Sequence, residues 1–289
     1  MVCSLKKRLI MFIIHPLYLD FFSVLDDWNA LSPEDKINKY YSGYFNKEKT
    51  FFQYLFFEYM NFTADSFHDR IIMIKPEDYS NLISVCKINS PERIIKETIS
   101  LCQKYFYPEN DIEIYLIIGF FSPDGLNTKI KGKKNRVIVI GLERYQDMSM
   151  LEIVLAHEYG HLLLKPKTNM NIWEKIHREG IAFLFSSLVL TNRPLHKILF
   201  IDRNSLYEVQ SKIAELKVLL VKKEISLNDL FRMTWKQFPD RAGNPLSYLY
   251  ARDLYQANGF DYILAIKDIR KSVINWCMDK KNSSDNCLF

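Results

Sequence analysis

The chain has 289 residues, of which 48% are apolar, 25% are charged and 14% are aromatic. This composition excludes collagen-like, disordered and mini-protein classes, and the length predicts two closely packed lobes at about 150 residues per domain. The 39 basic against 34 acidic residues give a net charge of only +5, which argues against a nucleic-acid partner.

The five cysteines are scattered without CxxC spacing, so the sequence predicts neither a disulfide framework nor a thiolate metal site. A reducing, cytoplasmic location fits this usage. Near the N-terminus, the basic residues 6–8 precede the apolar residues 9–14, but this apolar run is short and has no cleavage site, so a signal peptide is not expected. No apolar run reaches the roughly 18 residues of a membrane span, so no membrane association is expected.

Residues 1–110 are predicted to be mainly helical. Ser32-Pro33 and Ser90-Pro91 each place serine at an N-cap and proline at the first helical position, which predicts helices beginning near 33 and 91. The aromatic segment 51–59 is compatible with a buried helix or a strand, and we favour the helix.

Two β-branched runs, at 111–118 and 136–140, are predicted strands. A turn signal at 122–125 lies between them and predicts that they form a long hairpin. The lysine-rich segment 129–134 is expected to be a solvated loop.

Helical patterns dominate from about residue 149. Capping boxes at 149–152 and 171–174 predict one helix that ends at Lys165-Pro166 and a second that ends near Leu190. Further helices are expected near 206–223, 227–238, 246–258 and 260–276. A small sheet among many helices indicates the α+β class.

The first of these helices contains His157-Glu158-Tyr159-Gly160-His161, an HExxH segment. Residues i and i+4 lie about 40° apart around a helix, so both imidazoles project from one face and can bind one zinc ion. Glu158 lies beside that face, where it can take a proton from a water molecule that zinc activates.

A catalytic zinc site needs a third protein ligand. The longer metzincin motif, which supplies a third histidine ligand, is not present. It would need Gly at 164 and His at 167, where this chain has Leu164 and Lys167. Glu174 and Glu179 of the next helix are the alternatives. The capping box already accounts for Glu174, whereas Glu179 lies on an apolar stripe where a metal would explain a buried carboxylate. We therefore prefer Glu179.

The HExxH segment, followed 18 residues later by Glu179-Gly180-Ile181-Ala182, resembles the gluzincin arrangement. It is most similar to a little-characterised bacterial group of predicted zinc-dependent proteases, in which a strand ending in Gly-Leu-Glu precedes the motif helix, as residues 141–143 do here. The resemblance covers roughly residues 111–258. It implies a zincin-like α+β fold, mainly helical with a small sheet beside the HExxH helix. Residues 111–289 would then form the catalytic domain, after the helical region 1–110.

Zincins often supply an oxyanion donor from a later helix. The resembled group has a Tyr-x-x-Gly-like segment there, which Ser247-Tyr248-Leu249-Tyr250-Ala251 matches with alanine in place of glycine. We choose Tyr248 over Tyr250 and Tyr255, with core packing as the alternative role for each.

Two further ionisable residues are left out of the catalytic set. His177 lies on the helical face opposite Glu179 and is expected to be exposed. Glu143 could bind a substrate amine, but a carboxylate at a strand end is more often solvated or a capping group. The resemblance also implies that a strand beside the motif helix binds the substrate backbone by β-addition.

The sequence therefore predicts a zinc-dependent metallopeptidase with one zinc ion per chain and a peptide or protein substrate. His157, His161 and Glu179 are the expected ligands, Glu158 the general base and later proton donor, and Tyr248 the candidate oxyanion donor. A zinc-stabilised, non-catalytic regulatory or binding protein is the main alternative, and a helical interaction protein with an accidental HExxH is the other. Aminopeptidase and endopeptidase activities both remain open.

Overall fold

The computed structural model describes residues 11–145, 148–167, 169–231 and 238–279. Over these ranges the chain is mainly helical and has one small four-stranded sheet, which confirms the α+β class. It divides into two compact units, Met1–Leu155 and Ala156–Phe289, and the division falls within the helix that carries HExxH.

Each element has the following bounds. The strands are β1 (Phe12–His15), β2 (Ile112–Ile117), β3 (Gly125–Thr128) and β4 (Arg136–Gly141). The helices of the first part of the chain are α1 (Leu17–Val24), α2 (Pro33–Gly43), α3 (Lys49–Phe52), α4 (Ala64–Ile72), α5 (Ser80–Asn89) and α6 (Pro91–Cys102). They are followed by α7 (Leu151–Gly160), α8 (Ile172–Val189), α9 (Leu195–Ile198), α10 (Arg203–Ser211), α11 (Ile213–Lys222), α12 (Leu227–Phe231), α13 (Gly243–Asn258), α14 (Phe260–Leu264) and α15 (Ile269–Met278).

The predicted helix starts at 33 and 91 are confirmed, although the two caps differ. Ser32 accepts a hydrogen bond from the backbone N–H of Asp35, as an N-cap should. Ser90 makes no such cap and has a left-handed backbone, with φ of 42°. Proline at the first helical position is therefore the feature that both starts share.

The expected hairpin is wrong. The strand order is β1-β2-β4-β3, with β2 parallel to both β1 and β4, and β3 antiparallel to β4. Strand β3 forms within the segment that was expected to be turn and loop, and it supplies the return that lets β4 lie parallel to β2. Burial of most of β2 and β4 is typical of central parallel strands.

The helices between β1 and β2 form the crossover that joins these two parallel strands. Residues 11–110 therefore share the first compact unit with the rest of the sheet, and the units divide later in the chain than the boundary expected near 110. The aromatic segment 51–59 is helical, as α3 followed by a π-helical turn at Gln53–Tyr59. It buries Phe51, Phe52, Leu55 and Phe56 completely.

One lysine of the expected solvated loop is not solvated. Lys133 Nζ lies 2.9 Å from Glu113 Oε2 and 3.4 Å from Glu48 Oε2, and the Lys133 side chain is only 17% exposed. The Tyr115 hydroxyl also donates to Glu113, and His15 stacks on the Tyr115 ring with centroids 4.2 Å apart. Burial would raise the pKa of Glu113, but the hydrogen bonds from Tyr115 and Lys133 bring it below its usual value.

Glu143 is a capping group of the first unit, as one sequence interpretation held. Its Oε1 accepts hydrogen bonds from the backbone N–H groups of Gly119 and Phe121, at 2.5 Å and 3.2 Å. Its Oε2 is buried and has no hydrogen-bond partner within the described ranges. Burial raises the pKa of Glu143 to about 7, against the opposing effect of the backbone donors.

The second unit is built around α8 and α13. A Cβ at Gly180 would clash with the carbonyl oxygen of Ser247 and lie 3.1 Å from the Cβ of Ala251, so only glycine permits this close crossing. A Cβ at Gly160 would likewise lie 2.9 Å from the Cα of Ala182, which brings the end of α7 close to α8. Gly160 therefore faces α8, whereas Gly180 faces α13.

Several expected helices are shorter than the pattern indicated. Helix α7 ends at Gly160 and tightens into a 3-10 turn at His161–Leu163, before the expected stop at 165. The segment 206–223 is broken between α10 and α11, and 260–276 between α14 and α15. Of the helix expected over 227–238, α12 forms the start, and residues 232–237 lie outside the described residues. Within the described ranges, no helix is both long and apolar enough to span a membrane.

Candidate metal centre

His157, His161 and Glu179 converge in the second unit. Nε2 of His157 lies 3.2 Å from Oε2 of Glu179, and Nε2 of His161 lies 3.9 Å from the same oxygen. One donor atom from each residue lies within 4.8 Å of the other two, so the group could hold a metal ion. The three side chains that sequence reasoning selected as ligands are therefore brought together.

The packing of α7 on α8 creates this convergence. His157 lies in the last turn of α7 and His161 opens the 3-10 turn that follows, so the i, i+4 relation survives the tightening of the helix. Gly160 lies against Ala182 of α8, and Glu179 is one turn before Ala182 on that helix. The Tyr159 ring of α7 also stacks on the Phe185 ring of α8, with centroids 5.7 Å apart.

The spacing and chemistry of the donors suit a small divalent cation. A tetrahedral ion at about 2.1 Å from each donor separates its donors by about 3.4 Å, close to the shorter distance observed here. The side chains of His157, His161 and Glu179 are 7%, 15% and 18% exposed. Two imidazole nitrogens and one carboxylate oxygen form a donor set that zinc accepts readily.

The surroundings favour the ionised form of Glu179. Burial would raise the pKa of this carboxyl, but the hydrogen bond from His157 and the charges of His161, His157 and Lys175 lower it to about 2. A carboxyl must be deprotonated and the neighbouring histidines must be neutral to bind a cation, so the histidine charges that lower this pKa belong to the metal-free state.

Glu174 lies in the capping box that the sequence predicted. Its backbone N–H donates to Asn171 Oδ1 at 3.0 Å, and its carboxylate accepts from the backbone N–H of Asn171 at 3.1 Å. The Lys167 ammonium pairs with the same carboxylate. The structure thus places Glu179, and not Glu174, beside the two histidines.

The two predicted catalytic residues outside the ligand set have different surroundings. Glu158 follows His157 in α7, and only 7% of the residue is exposed. Tyr248 is half-buried on α13, where it packs against the hydrophobic core of the second unit. Its neighbour Ser247 is the residue whose carbonyl meets Gly180. The oxyanion role of Tyr248 stays a prediction.

The expected exposure of His177 is wrong, because only 2% of the residue is exposed. Its Nδ1 lies 3.3 Å from the hydroxyl of Tyr250, which is itself 3.0 Å from Ser272 Oγ. Burial, with a smaller effect of the Arg178 charge, lowers the pKa of His177 to about 4. Helix α8 is covered on more than one face, since both α13 and α15 contact it. Tyr250 is therefore a core residue.

Two aromatic rings lie against His157, and sequence reasoning gave neither of them a role at the site. The Phe183 ring lies 4.5 Å from the His157 ring, and the Phe200 ring lies 5.3 Å from it. Phe183 follows Glu179 by one helical turn on α8, so its place on this face was readable from helix phase. Phe200 comes from the turn after α9, and no local pattern in the sequence indicates its position.

Comparisons with known proteins add no family assignment to this geometry. No protein-family model, curated protein or solved structure matches the chain.

Proposed function

We propose that this protein is a zinc-dependent metallohydrolase, and specifically a peptidase with a zincin-like catalytic region. The observation that carries the proposal is the convergence of the His157, His161 and Glu179 donor atoms within 4.8 Å of one another. They belong to an HExxH segment followed by Glu-Gly-x-Ala, in which the spacing gives each residue a role.

Three donor side chains are the number that catalytic zinc sites use, and the described residues contribute three to this group. When bound, zinc would supply Lewis-acid chemistry, lowering the pKa of a coordinated water and polarising the carbonyl of the substrate. The donor set and its burial support zinc over calcium or magnesium, which prefer oxygen ligands.

Glu158 would act as the general base. It follows His157 on α7, so its carboxylate lies beside the ligand face, where it accepts a proton from the attacking water. The same carboxyl then returns the proton to the leaving amine. The burial of the residue supports this role, because charge interactions are stronger where water is excluded. Tyr248 is the candidate donor to the oxyanion.

The substrate class within this proposal is a peptide or protein. HExxH followed by Glu-Gly-x-Ala resembles zinc-dependent proteases, and this resemblance supports amide hydrolysis over other acyl transfers. A free or a blocked peptide N-terminus distinguishes aminopeptidase from endopeptidase activity. Cys86, Cys102 and Cys277 are free thiols, which supports a cytoplasmic site of action as part of the proposal.

The test is Glu158→Gln in the full-length protein, with zinc content and hydrolysis of a peptide library measured together. We expect the variant to keep its zinc and lose hydrolysis by at least 100-fold, because the base is not a ligand. A variant with wild-type turnover would contradict the mechanism. A wild type that holds zinc but cleaves no peptide of the library would instead support the non-catalytic alternative.

A further inference from the structure

Within the described ranges, no residue forms the hydrogen bond to His157 Nδ1 that usually orients a metal-binding histidine. In metal sites, the ring nitrogen that does not bind the metal normally donates to a carboxylate, a carbonyl or a water. Here Nδ1 of His157 is buried and has no hydrogen-bond partner among the residues that the structure describes. Its Nε2 points to Glu179 and is the nitrogen that would bind the metal. The orientation of the ring therefore depends on contacts other than a hydrogen bond at Nδ1.

Aromatic rings supply those contacts. The Phe200 ring meets the His157 ring edge to face, with centroids 5.3 Å apart and planes at 75°. The Phe183 ring contacts the same imidazole at 4.5 Å, and the two phenylalanine rings are 5.9 Å apart. The edge-to-face pairing of His157 with Phe200 is a geometry that aromatic rings prefer. His157 therefore lies against a two-ring wall.

Phe200 reaches this wall from a backbone position that normally belongs to glycine. After α9, the N–H of Ile201 donates to the carbonyl of His196 and the N–H of Phe200 to that of Lys197, both at 3.1 Å. This is the Schellman pattern, in which the residue at the position of Phe200 is left-handed and most often glycine. Phe200 has φ of 52°, an unfavourable backbone for a bulky side chain.

One side chain from the first turn of α13 and one from the residues just before this helix hold the turn in place. The Asn244 amide donates to the carbonyl of Leu199 at 2.8 Å, and the Arg241 guanidinium donates to that of Phe200 at 3.2 Å. Asn244 is buried, so its hydrogen bond lies inside the second unit. The left-handed turn is thus fixed by the tertiary structure, and with it the direction of the Phe200 ring.

We propose that Phe200 is a positioning residue, which with Phe183 holds the His157 imidazole in the orientation that binds the metal. The aromatic wall does the work that a hydrogen bond to Nδ1 does in other sites. This proposal rests on the metal binding in the proposed function, though not on the identity of the substrate. It also explains why a phenylalanine occupies a position that suits glycine.

The chain offers a matched control for a test by substitution. Helix α11 ends in the same pattern, where the N–H of Glu224 donates to Leu219 and that of Lys223 donates to Leu220, at 3.0 Å and 3.1 Å. Lys223 has φ of 60° and is exposed. Lys223→Gly therefore makes the same backbone change as Phe200→Gly without removing a ring beside His157.

The experiment measures the zinc dissociation constant, by competition with a chromogenic chelator, for the wild type, Phe200→Gly, Phe200→Tyr and Lys223→Gly. Circular dichroism confirms that each variant is folded, and the visible spectrum of the cobalt-substituted protein reports the ligand geometry. We expect Phe200→Gly to bind zinc at least tenfold more weakly with an altered cobalt spectrum. Phe200→Tyr and Lys223→Gly should stay within threefold of the wild type.

Equal zinc affinity and equal cobalt spectra in Phe200→Gly and the wild type would overturn the positioning role while leaving the metal site intact. Should Phe200→Gly fail to fold, Phe200→Leu replaces it, because leucine keeps the apolar bulk and removes the flat ring. A wild type that binds neither metal would refute the proposed function itself, which keeps the two failures distinct.

Discussion

The His177 imidazole and the Tyr250 hydroxyl form a buried polar contact, 3.3 Å long, between α8 and α13 of the second unit. His177 lies two residues before Glu179, so the contact fixes the helix that carries the candidate carboxylate ligand. The Tyr250 hydroxyl also lies 3.0 Å from Ser272 Oγ, which ties α15 to the same point.

This contact predicts that Tyr250→Phe destabilises the protein without removing a metal ligand. Loss of the hydroxyl leaves polar atoms of His177 and Ser272 unpaired, at a cost of about 1–3 kcal/mol in the free energy of unfolding. Urea denaturation measures that change. Tyr255→Phe is the control, because the Tyr255 hydroxyl makes no hydrogen bond within the described residues. Equal destabilisation by both substitutions would refute the role of the contact.

Lys133 predicts a second stability effect, in the first unit. Lys133→Met leaves the carboxylates of Glu113 and Glu48 close together without their ammonium partner. We expect the free energy of unfolding to fall by about 1–2 kcal/mol, because the two carboxylates are partly exposed and solvent screens part of their repulsion. Lys131→Met, at an exposed position of the same segment, should change the urea midpoint little. If both variants unfold at the wild-type midpoint, the cluster contributes nothing to stability.

Glu143 predicts a pH dependence of stability. Its pKa is raised from 4.5 to about 7 in the folded state, so folding favours the protonated carboxyl. Its contribution to stability is complete below about pH 4.5 and is lost as the pH rises through about 7. Glu143→Gln keeps an oxygen for the two backbone donors and cannot ionise.

The measurement is the free energy of unfolding between pH 4.5 and 8. We expect the free energy of unfolding of the wild type to fall relative to that of Glu143→Gln as the pH rises. Glu109→Gln, at an exposed position, is the control for the replacement of glutamate by glutamine. A constant difference across this range would show that the Glu143 carboxyl does not titrate as stated.

Local signals predicted much of this architecture. Proline at the first helical position marked the starts of α2 and α6, and the capping box of Asn171 and Glu174 marked the start of α8. The candidate ligand set also followed from local information, because helix phase aligns His157 with His161 and the apolar stripe singles out Glu179. Each of these signals depends on a few neighbouring residues within a single segment of the chain.

Four of the features that sequence reasoning missed depend on partners distant in the chain. The parallel pairing of β2 with β4 requires β3, and the burial of His177 requires Tyr250 of another helix. Lys133 is mostly buried because it pairs with Glu48 and Glu113. No local sequence pattern connects these carboxylates to the lysine. Phe200 is a similar case, since its ring meets His157 through a turn fixed by α13.

The most direct test of the central claim is the zinc content of the purified wild type, Glu179→Ala and Glu174→Ala, by elemental analysis. We expect one zinc ion per chain in the wild type and in Glu174→Ala, and a sharp loss in Glu179→Ala. We also expect a chelator to lower the melting temperature of the wild type, because a metal that binds only the folded state stabilises it. Absence of zinc from every preparation, with a melting temperature unchanged by the chelator, would show that His157, His161 and Glu179 do not form a zinc site.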